Sequence, residues 1–280
     1  MRRAKTEIRT ETAVARVCPR EDRFEAFTDG KNCETCRTLL VATGGCAFVE
    51  GLDHAIEPCV PSLFSLETSD RPFTELAGIV AKGVRASGPG GATGEGDLLI
   101  THDGVSGPAV LRLSSFGARA LANANYSFDL TIHWRPALRE DQVFDALAKC
   151  RADTPRRQIG SLSPFGLAAR LWKLLLLRAG VEATCEWGRC PLSGMREMAR
   201  QTTAFSLPIL GRSRRREEFV TCGGVRLKEV DFRTMESRRH PGLFLAGETL
   251  DMDGLTGGFN LQAAWTTGYL AAAAMLARHG

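Results

Sequence analysis

The stretch "GETLDMDGLTGGFNLQAAW" occupies residues 247–265. It follows "HPGLFLAG", a short apolar run behind a Pro-Gly turn, which reads as a buried strand. The order is therefore strand, Gly247-Glu248, loop, Gly257-Gly258, then a helix predicted from about Asn260 to Arg278. Ligands of open parallel sheets bind beyond the carboxyl ends of the strands. Glycine there lets the backbone approach a ligand and adopt positive φ. The Glu248 carboxylate can accept bonds from sugar or ribityl hydroxyls. The first N–H groups of the helix lack intrahelical partners. They favour negative charge by about 0.3–1 kcal/mol, or about 2 when partly buried. Asn260 can cap that helix or reach a ligand.

A second apolar run that stops in glycine lies far upstream: "RTLLVATGG", residues 37–45. It reads as a strand buried on both faces. Before it, residues 12–30 alternate like a β-hairpin. Between the two glycine-ended strands the texture changes. Prolines 58, 61, 72, 89 and 108 break residues 57–126 into short alternating runs, "GIVAKGVRA", "DLLITH" and "YSFDLTIHW", which suggest a small β-barrel or curled sheet. "SGPAVLRLSSFGARALA" reads as a helix with Pro108 in its first turn. Residues 139–204 read as helical, with "SPFGLAARLWKLLLLRAG" starting on a Ser-Pro cap, ending at Gly180 and buried almost all round. The simplest account is an α/β domain interrupted by an insertion. Its expected parts are residues 1–56 and 219–280, with an inserted β-barrel and helical subdomain over 57–218.

Length and composition bound the function. The 280 residues are 44% apolar and 24% charged, ordinary globular values. A net charge of +4 does not by itself argue for nucleic acid, and none is expected. The run Arg212, Arg214, Arg215, Arg216 is followed by Glu217 and Glu218 and reads as a solvated turn. No apolar stretch approaches membrane-spanning length, and the basic N-terminus lacks the apolar region of a secretory signal. Nine scattered cysteines suit a reducing cytoplasm, so all nine are expected as thiols. Cys33 and Cys36, on a turn leading into a strand, and Cys185 and Cys190 lack the pattern of a zinc site, so no metal is expected.

Three blocks carry a resemblance: "LLVATGG", "LLITHDGVSGPAVLRLS", and residues 220–271 from "VTCGGVRLKEV" to "TTGYLA". Together they resemble the BaiN-like (YhiN-like) FAD-dependent oxidoreductases, flavoproteins with two dinucleotide-binding domains. The likeness runs from about Glu7 to the end. It implies a Rossmann-like FAD-binding domain with an inserted barrel and helical subdomain. It also implies that Ala42, Thr43, Gly44 and Gly45 lie beside FAD. Gly247 and Glu248 would meet the ribityl and pyrophosphate region. Gly257, Gly258, Phe259, Asn260 and Leu261 would approach the flavin ring, with the helix start facing its O2 side. His102 and Met235 would face the substrate, a small molecule. Hydride or electron transfer through the flavin, linked to NAD(P)H, is the implied chemistry. The resemblance names no catalytic residue.

Two departures matter. The family opens with a strand, a glycine-rich turn and a helix that cradle the diphosphate, yet no G-x-G-x-x-G precedes Gly44 here. The chain is therefore expected to be N-terminally truncated, its FAD-binding domain incomplete. The family's second glycine-rich stretch after "ATGG" is also absent, and the "GATGEG" of residues 91–96 belongs to the insert. Nanomolar retention of a cofactor needs about 12 kcal/mol. Charge-assisted hydrogen bonds contribute about 1.5–3 kcal/mol each. Without the cradle, this chain alone is expected to hold FAD weakly. A second reading follows: a degenerate or split relative, serving as a binding or assembly module and completed by a separate N-terminal fragment.

Overall fold

The computed structural model describes residues 6–28, 32–44, 52–213 and 220–279. Two units divide the chain: Met1–Val60 with Val220–Gly280, and Pro61–Phe219.

The alternating residues of the first unit form a three-stranded antiparallel sheet of β1 (Val14–Pro19), β2 (Phe24–Thr28) and β3 (Asn32–Cys36). Cys33 and Cys36 lie within β3, not on the turn expected for them, and both are free thiols. Cys59 departs from the expectation of nine thiols, because it is disulfide-bonded. After β3 come β4 (Leu39–Val41) and β5 (Ile56–Ser62).

The chain then enters the second unit with β6 (Leu66–Glu67), α1 (Arg71–Thr74), β7 (Val80–Ser87), β8 (Thr93–Ile100) and β9 (Gly104–Ser106). Next are α2 (Pro108–Phe116), α3 (Ala118–Asn123), β10 (Phe128–His133), α4 (Glu140–Asp153), α5 (Ala169–Arg178) and α6 (Leu192–Thr203). Strands β11 (Phe205–Ile209) and β12 (Gly211–Arg212) complete it. Its seven strands run β11-β10-β7-β8-β9-β6-β12, and among the described residues the order has two ends, so of the expected small barrel or curled sheet it is the barrel that does not appear. Those ends are separated in the chain by Leu210 alone, whose N–H bonds to Glu67 O at 2.9 Å. Helix α2 has Pro108 in its first turn and lies on β8 so closely that a Cβ on Gly94 would stand 2.0 Å from Ala109 O.

The helical part buries Leu171, Trp172, Leu174, Leu175 and Leu176 from α5, but Leu177 is exposed. This helix begins at Ala169, six residues after the predicted cap. Ser163 Oγ instead accepts the Phe165 and Leu167 N–H groups in a turn of its own.

The first unit resumes with β13 (Val220–Val225), β14 (Val230–Asp231), β15 (Glu236–Ser237), β16 (Leu243–Leu245) and α7 (Gly257–His279). A four-stranded sheet runs β14-β15-β16-β4. Strand β16 pairs parallel with β4, matching Leu243 to Leu39 and Leu245 to Val41. All of β16 is buried, together with Val17, Phe24, Val41, Val225, Val230 and Leu250. Strand β4 stands at the edge of this sheet among the described residues, so Leu39 and Leu40 are only half-buried. A strand buried on both faces was expected, and only Val41 is fully buried.

Candidate functional site

The site starts from the register of β4 and β16. Their parallel pairing makes both strands end together, and Ala246 N–H bonds to Val41 O at 3.1 Å. Ala42-Thr43-Gly44 leaves one strand and Gly247-Glu248-Thr249 the other, so the two glycine turns predicted far apart in sequence depart from neighbouring strands. Gly44 has φ +70° and Gly247 φ +66°, conformations that favour glycine. A Cβ on Gly44 would meet nothing within 4 Å, which leaves its backbone accessible.

Residues 247–249 make a 3₁₀ turn under α7. Gly247 N–H donates to Thr267 Oγ1 at 2.9 Å, and that hydroxyl donates to Ala263 O at 2.7 Å. Thr267 thus pins the turn to the helix. Sequence reasoning missed it: it lies 20 residues beyond Gly247, and only packing brings it back. Burial pushes the Glu248 carboxyl above its ordinary pKa, partly offset by a hydrogen bond from Thr221 backbone. The Thr249 hydroxyl is buried and lacks a partner among the described residues.

Helix α7 opens at Gly257, three residues before the predicted start. Its first two residues, Gly257 and Gly258, are exposed, as are Phe259 and Leu261. Asn260 does not cap the helix start as one expectation had it. Its side-chain oxygen accepts the Gly254 N–H at 2.8 Å, and its amide donates to Gly254 O and Thr256 O. It closes the preceding loop and is itself 8% exposed. Met235 sits in the core of the first unit at 0% exposure, with φ +61°. His102 belongs to the second unit, exposed at the turn between β8 and β9. It lines a groove of about 650 Å³ with Glu67, Thr68, Arg71 and Asp103. Gly45 lies outside the described residues, as do Arg214–Phe219.

Elsewhere in the first unit, Ser237 Oγ accepts the N–H groups of Arg239 and His240. It therefore donates to His54 Nε2, 2.8 Å away. With that bond made, a neutral His54 ring carries its proton on the buried Nδ1. Burial, then the neighbouring His240, holds its pKa below 6.5.

Among the described residues no His, Cys, Asp and Glu cluster could hold a metal ion. The donors fit a flavin dinucleotide in kind. Two positive-φ glycine turns end parallel strands, a desolvated carboxylate follows one of them, and the exposed residues Gly257 and Gly258 open a long helix. FAD would be held by Ala42–Gly44, Gly247, Glu248 and the Gly257–Gly258 backbone.

Parallel strands ending in glycine turns, one pinned beneath a helix, define a Rossmann-like nucleotide-binding domain. A family model described as the HI0933-like protein Rossmann domain matches residues 1–274. The chain belongs to the HI0933-like family, which is one of flavoproteins. It is 30% identical to the 3-dehydro-bile acid delta(4,6)-reductase of Clostridium scindens, over 99% of this chain and 71% of that protein. It is 28% identical to the ribosomal RNA dihydrouridine synthase of Haemophilus influenzae, over 85% of this chain and 60% of the relative. For the Escherichia coli protein of the same name the figures are 27%, 86% and 61%. The chain therefore spans about three-fifths to seven-tenths of the length of these relatives.

Proposed function

We propose that this chain supplies most of an FAD-dependent reductase that draws hydride from NAD(P)H. Its substrate would contain a carbon–carbon double bond activated by a neighbouring carbonyl. The observation that carries this reading is the pairing of Leu245 with Val41, which sets the Gly247 and Gly44 turns at the ends of adjacent strands. The reactions named for the relatives, a Δ4,6 reduction and the formation of dihydrouridine, support the same step. Bound FAD would supply the hydride carrier. The protein's part is to hold the cofactor at Ala42–Gly44 and Gly247–Glu248 and to favour negative charge near the Gly257–Gly258 amides.

The reading includes a partner. Strand β4 has an open edge among the described residues. Helix α7 exposes Leu261, Trp265, Tyr269 and Leu276 at 60–75%. These four positions, spaced by four, four and seven residues, fall on one face of the helix. A strand, glycine-rich turn and helix supplied by a further segment would extend the sheet beside β4 and cover this face. Flavin absorbance of the purified chain tests both parts. Yellow protein bleached anaerobically by a reduced nicotinamide supports the reductase. Protein colourless with FAD alone, but coloured after adding such an N-terminal unit, supports a split or degenerate relative. Failure to bind flavin in either case overturns the reading.

A further inference from the structure

The turn after β16 and helix α7 meet through one hydroxyl. Thr267 is 5% exposed, on the buried side of α7. Its Oγ1 donates to Ala263 O at 2.7 Å, with Ala264 O beside it at 3.2 Å. A hydroxyl has one proton, and this back-bond to the preceding helical turn uses it. The oxygen is left to accept, and it accepts from Gly247 N–H at 2.9 Å. The branched side chain restricts the χ1 rotation that would undo both bonds.

The consequence falls on what the turn offers a ligand. Gly247 opens the 3₁₀ turn of residues 247–249, and Leu250 N–H closes it on Gly247 O at 3.1 Å. Backbone amides at such a turn are the usual donors to phosphate oxygens. The Gly247 amide instead points into the protein, toward a helix wall of small residues, where a Cβ on Gly247 would stand 3.6 Å from Ala264 Cβ. Thr249 is fully buried, so the side chain that the turn presents is that of half-buried Glu248. A carboxylate accepts hydrogen bonds and repels phosphate. One donor withdrawn and one acceptor presented suit a chain of hydroxyl groups.

We propose that Thr267 is a positioning residue that sets the ligand chemistry of this turn. By withdrawing the Gly247 amide it leaves Glu248 to hold the polyhydroxyl chain of a flavin, and not the phosphates. The role narrows the reductase reading, on which it rests for the identity of the ligand. Residue type alone left the ribityl and pyrophosphate regions equally open at Gly247 and Glu248. The Thr267 bonds favour the first.

Flavin fluorescence titrations of the full chain test it, with riboflavin, which carries the ribityl chain, and lumiflavin, which has a methyl group in its place. Thr267→Val is close in shape but removes the hydroxyl, so the Gly247 amide loses its acceptor. It should weaken riboflavin binding by about tenfold, while lumiflavin binding stays within about twofold of the parent's. Thr267→Ser keeps the hydroxyl and should restore riboflavin binding to within about threefold. Thr266→Val makes the same change at an exposed neighbour and should bind both flavins as the parent does. Amide exchange followed by NMR reads the positioning without any ligand. Gly247 N–H should be protected in the parent and in Thr267→Ser, and should exchange about tenfold faster in Thr267→Val. Equal losses of riboflavin and lumiflavin binding in Thr267→Val, undiminished riboflavin binding, or an unchanged Gly247 exchange rate would each overturn the proposal. The reductase reading fails separately. A parent chain with a protected Gly247 amide that binds neither flavin sinks that reading and the ligand named here, whereas riboflavin bound alike by the parent and Thr267→Val sinks the role of Thr267 alone.

Discussion

Helices α5 and α7 are both largely apolar and carry one tryptophan each, and the two units treat them in opposite ways. Helix α5 places Trp172 at 0% exposure, with its indole N–H donating to Ile159 O at 2.9 Å. Helix α7 leaves Trp265 at 72% and Tyr269 at 75%. The second unit satisfies its own apolar surface. The first satisfies only the side that carries Asn260, Thr267 and Ala271, which are buried. Exposed aromatic residues in a continuous helical stripe mark an interaction surface more often than a tolerated defect.

The sharpest challenge to this contrast is Trp172→Ala, which removes a buried ring and orphans a carbonyl. It should cost about 3–5 kcal/mol in denaturant unfolding. A cost near zero would mean that the second unit is not closed after all. Met235→Ala should cost about 2–5 kcal/mol, because that side chain is fully buried in the core of the first unit. A negligible loss, with altered flavin chemistry, would return Met235 to the substrate-facing role.

The acid sensitivity of the first unit is a gentler test. His54 has its folded pKa below 6.5, so the unfolded chain binds more protons. Stability should fall as pH drops below 6.5 toward the folded value, and His54→Gln should flatten that decline in pH-dependent melts. Glu248 works in the other direction. Its folded pKa is raised, so its contribution is present in acid and lost as pH rises through the folded value. Glu248→Gln should remove that loss while weakening FAD retention, both measurable by melting with and without FAD. The smallest expected change is the most telling one. Trp265→Ala should alter the stability of the chain alone by no more than about 0.5 kcal/mol. It should nevertheless impair pairing with an added N-terminal unit, as measured by recovery of flavin colour.

Much of the fold was legible because local patterns agreed with their tertiary setting. The hairpin of β1 and β2, the buried run Leu243–Leu245 and the Pro108 helix start all appear where alternation, apolar content and capping placed them. What failed depended on distant partners. Nothing near Leu39 announces that β4 would lie at an edge, since a strand's neighbours are chosen by the rest of the chain. Ser163-Pro164 resembles a helix cap, yet the Ser163 hydroxyl has two closer amides to satisfy. At the site, the glycine turns were readable from residue type. Asn260 was not, because its amide could serve the loop or a ligand equally well until Gly254 came within reach.

Strand β5 runs into the second unit, and β13 begins where the chain returns. The two strands pair with each other, and Arg226 N–H reaches Ala55 O at 3.0 Å. The polypeptide thus departs and comes home through one doorway. Closing such a short gap costs little entropy whatever the length of chain beyond it. Evolution could exchange, trim or enlarge everything between those doorposts while the spacing of Gly44 and Gly247 stays fixed. One nucleotide-gripping frame could in this way carry quite different recognition cassettes.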